Sequence, residues 1–295
     1  MGLLSLAIWT PIIFGTVLLA LGRDEQARSV RWIALIGAVV SFLVTLPLYD
    51  GFQLGTSAMQ FVEKGPWIQR FNVSYHLGVD GISLWFVLLT AFINVVVIIA
   101  SWEAITTRVN QYMAAFLILS GLMIGVFTAL DGLLFYVFFE ATLIPMYLII
   151  GIWGGPNKIY AAFKFFLYTL LGSLLLLVAL IFLYNKSGGS FDIFTWHKLP
   201  LGSTVQTLLF FAFFTAFAGK GADVASPHLA ARRARRSPDW RLGRAGGHHA
   251  QAGRLRLSAV FDADCTGCHP RVGLADDWLV ADCRHLCGSG SPGAA

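Results

Sequence analysis

Residues 131–153 read Asp131-Gly-Leu-Leu-Phe-Tyr-Val-Phe-Phe-Glu140-Ala-Thr-Leu-Ile-Pro145-Met-Tyr-Leu-Ile-Ile-Gly-Ile-Trp153. From Leu133 onward the stretch is almost wholly apolar. About 20 such residues in a helix span the ~30 Å hydrocarbon core of a bilayer, where the backbone must satisfy its own hydrogen bonds. One carboxylate interrupts the run. Glu140 follows Leu130 by ten residues, which at a rise of about 1.5 Å per residue sets it roughly 15 Å deep, near the midplane. Pro145, five residues on, removes an internal hydrogen bond and predicts a bend beside the acid.

The rest of the chain extends this picture. Hydrophobic residues make up 57% of the 295 and charged residues 13%, and the mean hydropathy is +0.70. Such a composition excludes an ordinary soluble domain. Seven apolar segments approach membrane-spanning length, at residues 3–21, 32–48, 82–101, 112–130, 133–152, 161–184 and 205–220. The expected fold is therefore all-α, a polytopic transmembrane bundle of about seven helices over residues 1–220. Leu3 opens the first run with no basic segment before it and no small-residue cleavage site after it, so it is expected to be a retained helix and not a signal peptide. The long connection at 49–79 reads as a polar surface loop, with Trp67 and Tyr75 as interface anchors. Basic residues divide five to four between alternate loops and place the N-terminus outside the cytoplasm.

An ionisable side chain inside a membrane costs several kcal/mol and is kept where an ion or proton path needs it. Glu140 fits that case; the plainer reading is an uncharged acid hydrogen-bonded to a neighbouring helix. Lys164, near the start of its segment, has two open readings, a snorkelling anchor or a buried charge. Lys220 closes the seventh run, where local sequence alone makes it a terminal anchor. Asp80 and Asp131 each precede a glycine and an apolar run, the position of a helix N-cap.

Three segments together carry a family resemblance: Gly78-Val-Asp80-Gly-Ile-Ser83-Leu, the 131–155 stretch, and Tyr160-Ala-Ala-Phe-Lys164-Phe-Phe-Leu-Tyr-Thr-Leu-Leu-Gly-Ser. They resemble subunit M of the NADH-quinone oxidoreductases of respiratory complex I, continuously over about residues 1–220. Phe138-Phe-Glu140-Ala running into Ile144-Pro-Met-Tyr separates that subunit from its antiporter-like relatives L and N. The resemblance implies proton translocation coupled to electron transfer from NADH to quinone. It also implies that Glu140 and Lys220 form a pair at the entrance to a chain of buried charges, with Lys164 a further lysine of the path. No cofactor or metal is expected in the subunit itself, since NADH, flavin, iron–sulfur clusters and quinone belong to the rest of the complex. Its expected partners are other membrane-arm subunits and the lipid of a bacterial inner (plasma) membrane, not nucleic acid. A subunit of a multi-subunit cation/proton antiporter is the alternative that shares these charges.

Beyond Lys220 the composition changes. Residues 221–295 hold ten Arg and seven Asp, all four cysteines, and none of Lys, Glu, Ile, Met, Asn or Tyr. Cys265-Thr-Gly-Cys268-His269 has the spacing of a c-type haem attachment site, which would make the chain a membrane-anchored cytochrome, but no methionine follows to serve as axial ligand. Cys283, His285 and Cys287 could join that pair in a metal site, although little core surrounds them. The run Arg232-Arg-Ala-Arg235-Arg lacks the interleaved aromatics of a nucleic-acid surface. A reading-frame change near codons 219–221 accounts for all of it. If Gly221-Ala-Asp-Val is encoded GGT-GCC-GAT-GTG, starting one base later gives Val-Pro-Met-Trp, the continuation in subunit M. Residues 221–295 are thus expected to be an out-of-frame tail without a stable fold, and a chain ending so is expected not to pump.

Overall fold

The computed structural model describes residues 2–21, 27–53, 55–56 and 58–220. The motifs at Arg232, Cys265 and Cys283 lie outside them. The chain opens with two helices, α1 (Leu3–Leu21) and α2 (Ala27–Asp50), and then two antiparallel strands, β1 (Gln60–Ile68) and β2 (Val73–Val79). Helices α3 (Gly81–Ala100), α4 (Val109–Thr128), α5 (Gly132–Ala141), α6 (Leu143–Trp153) and α7 (Lys158–Lys186) follow. A single turn, α8 (Ile193–Trp196), precedes α9 (Ser203–Lys220).

Among the described residues, six helical segments are long and apolar enough to cross a membrane: α1, α2, α3, α4, the α5–α6 pair and α7. α9, expected as a seventh, has the length but a more polar start in Ser203, Thr204, Gln206 and Thr207. The protein is a multi-pass membrane protein. Its outward-facing side chains agree, since Leu167, Leu171 and Val178 of α7 are all at least 60% exposed, an apolar exterior suited to lipid.

α4 is the buried centre of the bundle, with α1, α2, α3, α5 and α6 packed around it. Its approach to α1 depends on two glycines. A Cβ on Gly121 would lie 2.6 Å from the Ile8 carbonyl oxygen, and one on Gly15 would lie 3.0 Å from the Ala114 carbonyl. Small residues at such crossings let helix backbones touch where lipid offers no hydrophobic drive between helices.

Residues 60–79, expected as part of a loop, form a β-hairpin instead, so the chain is not purely helical. Its turn contains Asn72 in the left-handed conformation, φ 53°, which asparagine tolerates well. Trp67 is exposed on β1, whereas Tyr75 is turned inward enough for its hydroxyl to contact Ser5 Oγ at 3.2 Å. The hairpin is tied down on two sides. From β1, the Glu63 carboxylate accepts the Leu4 N–H at 2.7 Å and the Ser5 N–H at 3.3 Å, closing the first turn of α1. From β2, the His76 carbonyl accepts the Leu130 N–H at 2.9 Å.

The corner at residues 129–132 is held from its other side too, where Gly132 N–H donates to the Phe191 carbonyl and Ile193 N–H to the Leu130 carbonyl. Both expected caps are present. Asp80 and Ser83 form a reciprocal capping box on α3, and Asp131 accepts from the Leu133 and Leu134 amides at 3.0 and 3.1 Å. Its second oxygen takes the Ser74 amide of β2 at 3.1 Å. One carboxylate therefore both caps α5 and anchors the hairpin.

Candidate proton-handling site

The membrane span expected at 133–152 is present, as two consecutive helices that meet at Thr142. α5 ends at Ala141 and α6 begins at Leu143, with Thr142 shared as the cap of both. Pro145 supplies the reason: it has no N–H for the Ala141 carbonyl, and its ring crowds the preceding turn. Glu140 sits in the last turn of α5, immediately before the break. Its Oε1 is buried and has no hydrogen-bond partner among the described residues.

Lys220 reaches this break from the end of α9. It is 4% exposed, so it is not the interfacial anchor that its local sequence offers. Its ammonium donates to the Phe139 carbonyl and, at 3.3 Å, to the Thr142 hydroxyl, and it lies 3.1 Å from the centre of the Phe139 ring. Thr142, 1% exposed, donates its own hydroxyl to the same Phe139 carbonyl at 2.7 Å. The ring of Phe217, one turn before Lys220, meets that of Phe139 edge-on at 5.8 Å and closes the pocket with apolar surface.

Glu140 and Lys220 meet at one stretch of α5, since the ammonium bonds to the Phe139 carbonyl and Glu140 is the next residue. They are nevertheless not ion-paired: among the described residues, no carboxylate oxygen lies within the 4.0 Å of a salt bridge to Lys220. Lys164 stands apart from this pair in its contacts. It is the seventh residue of α7, half-buried, with its ammonium 5.9 and 5.8 Å from the ring centres of Tyr160 and Tyr168 on its own helix.

Two participants were not singled out by sequence. Tyr136 precedes Glu140 by one helical turn and lies beside Ser173 of α7. The i, i+4 spacing on one helix face was the available signal. Thr142 is the other, and nothing local distinguishes it from a threonine bonded to its own helix. An open cavity of ≈ 480 Å³ lies elsewhere, beneath the hairpin, lined by Lys64, Ser74, Asp131, Ser190 and Asp192 among others. It includes neither Glu140 nor Lys220.

Ionisable side chains inside a membrane bundle are rare and usually mark an ion or proton path. Two family models match in succession: "NADH-ubiquinone oxidoreductase chain 4, amino terminus" over residues 6–129, and "NADH:quinone oxidoreductase/Mrp antiporter, TM" over 129–225. The chain is 50% identical over 234 residues to NADH-quinone oxidoreductase subunit M of Rhodobacter capsulatus, covering 74% of this chain and 45% of that protein. It is 41% identical over 224 residues to subunit M of Rickettsia prowazekii, with the same coverage. Among solved structures it resembles a chain of respiratory complex I from Thermus thermophilus with bound NADH, at 32% identity and a TM-score of 0.64, covering 74% of this chain and 44% of that one. The chain belongs to the NADH:quinone oxidoreductase membrane-subunit family that these models describe. It spans about half the length of the curated relatives it matches.

Proposed function

We propose that this chain is a membrane-arm subunit of a proton-translocating NADH:quinone oxidoreductase, and that Glu140 and Lys220 handle the protons, with Lys164 a further charge of the path. The observation that carries the reading is the buried Lys220 ammonium at the α5–α6 break beside the unpartnered Glu140 oxygen. Opposite charges in a low-dielectric surrounding favour each other's ionised forms, so a change in their separation changes the proton affinity of both. That makes a switch and not a bond-making catalyst.

In this reading the subunit carries no redox group, and energy released by electron transfer in partner subunits reaches it through movement and electrostatics. Its place is a bacterial inner membrane, among other membrane-arm subunits and lipid. The second family model also names Mrp antiporters, but the amino-terminal model over residues 6–129 names the oxidoreductase chain alone, which favours the oxidoreductase.

The test uses membrane vesicles in which an intact version of this subunit is assembled into the complex. Glu140→Gln should remove most NADH-driven proton uptake and the coupled quinone reduction while leaving assembly intact. Unchanged uptake in that variant would refute the proposal. Sodium-dependent growth, with no effect on NADH oxidation, would assign the chain to the antiporter class.

A further inference from the structure

An ammonium has three hydrogens to place, and a buried one must place them on protein. Lys220 places two on the Phe139 carbonyl and the Thr142 hydroxyl, with the face of the Phe139 ring beside it. Two hydrogen bonds and a ring face thus engage the ammonium, and none of them is a carboxylate. Yet a carboxylate is next to it in the chain: Glu140 follows Phe139 directly, and its Oε1 is buried without a partner. Two compatible groups of opposite charge thus lie side by side and unjoined. A buried unsatisfied polar atom in a native structure calls for an explanation, and here the explanation is the hydroxyl that occupies the lysine.

We propose that Thr142 is the positioning residue of this site: its hydroxyl, fixed on the Phe139 carbonyl, holds Lys220 parked on the helix break and away from Glu140. This rests on the reading of Glu140 and Lys220 as the proton-handling charges and adds how their separation is set. Thr142 is suited to the task because its hydroxyl has two roles at once. It donates to Phe139 at 2.7 Å, which fixes its rotation, and so presents its lone pairs to the ammonium at 3.3 Å. Its backbone is the shared cap of α5 and α6, so any change in the bend between them moves the parking position relative to Glu140. The ammonium then has two resting places, the break and the acid, and the angle of the break selects between them.

Solid-state NMR on the full chain in lipid bilayers reads this directly. The sequence contains six lysines and four glutamates, so dipolar couplings from lysine ¹⁵Nζ to phenylalanine ¹³C carbonyl and to glutamate ¹³Cδ are few, and a Lys220→Met control assigns those of Lys220. The parent chain should show the Phe carbonyl coupling and no Lys220–Glu coupling. Thr142→Val, of nearly the same shape, should lose the first and gain the second, and Thr142→Ser should restore the parent pattern. The gained coupling should vanish in Thr142→Val with Glu140→Gln. An unchanged Phe carbonyl coupling in Thr142→Val overturns the proposal. So does a Lys220–Glu coupling in the parent chain, a result available even if Thr142→Val fails to fold. None of these couplings depends on whether protons are moved, so failure here is distinct from failure of the Glu140→Gln translocation test.

Discussion

Ser5 and Glu63 are joined through both the backbone and the side chain of the serine, across 58 positions of sequence. The carboxylate thereby serves as the N-terminal cap of a helix that has no capping side chain of its own. An anion at this end of a helix also meets the favourable end of its dipole.

Glu63→Ala removes the acceptor for the Leu4 and Ser5 amides together. Losing a charged acceptor and exposing two orphan donors should cost about 1–3 kcal/mol. Glu63→Gln, which keeps one oxygen, should cost less. Thermal unfolding of the purified chain in detergent checks the order, and equal midpoints for parent and Glu63→Ala would show that the cap does not contribute.

Asp131 separates two contributions in the same way. Asp131→Asn retains a carbonyl oxygen for the α5 cap, while Asp131→Ala loses both the cap and the Ser74 contact. We expect the alanine variant to lose about 1–2 kcal/mol and the asparagine variant a smaller part of it. Protease cleavage within the 60–79 hairpin should increase in the alanine variant if the carboxylate anchors that element.

His76 gives the stability an acid limb. Burial is the main cause that holds its imidazole below the ordinary 6.5, with Lys64 adding to it and Asp192 and Asp131 opposing. The folded state therefore prefers the neutral ring. The associated stability is fully present above pH 6.5 and is lost as the pH falls through the depressed folded value. His76→Gln should flatten this limb in a series of melting temperatures between pH 8 and pH 5; a slope identical to the parent's would assign it to another group.

Gly121→Val should be among the most damaging substitutions in the bundle. Its Cβ would stand 2.6 Å from both the Ile8 carbonyl oxygen and the Ile12 Cγ1, and backbone cannot yield as a flexible side chain can. Overpacking of this kind costs about 1–3 kcal/mol. A melting midpoint within a degree of the parent's would mean that α1 and α4 separate freely.

The gene offers the remaining check. We expect resequencing around codons 219–221 to reveal a single-base insertion whose removal restores Val-Pro-Met-Trp after Lys220. An uninterrupted frame that no single-base change converts to that continuation would leave residues 221–295 as a genuine tail.

How much of this was legible beforehand depended on the range of each interaction. The caps at Asp80 and Asp131 were legible because partner and acceptor lie within three residues of each other. The break after Ala141 was legible through Pro145. The hairpin was not, because Glu63, Lys64, Gly65 and Pro66 are poor strand formers when read locally, and Glu63 finds its reason only in α1. Lys220 stands out as a charge of interest only through family resemblance. Its burial is made by Phe139 and Thr142, 81 and 78 positions earlier.

The 129–132 corner has a mechanical consequence. Backbone hydrogen bonds grip it from β2 on one side and from residues 191–193 on the other, so the start of α5 is clamped, whereas its far end is a discontinuity at Thr142. A helix held so at its start yields first at its other end, where Pro145 leaves the Ala141 carbonyl without an intrahelical donor. Glu140, in the last turn, is the ionisable group of α5 farthest from the clamp and nearest that weak point.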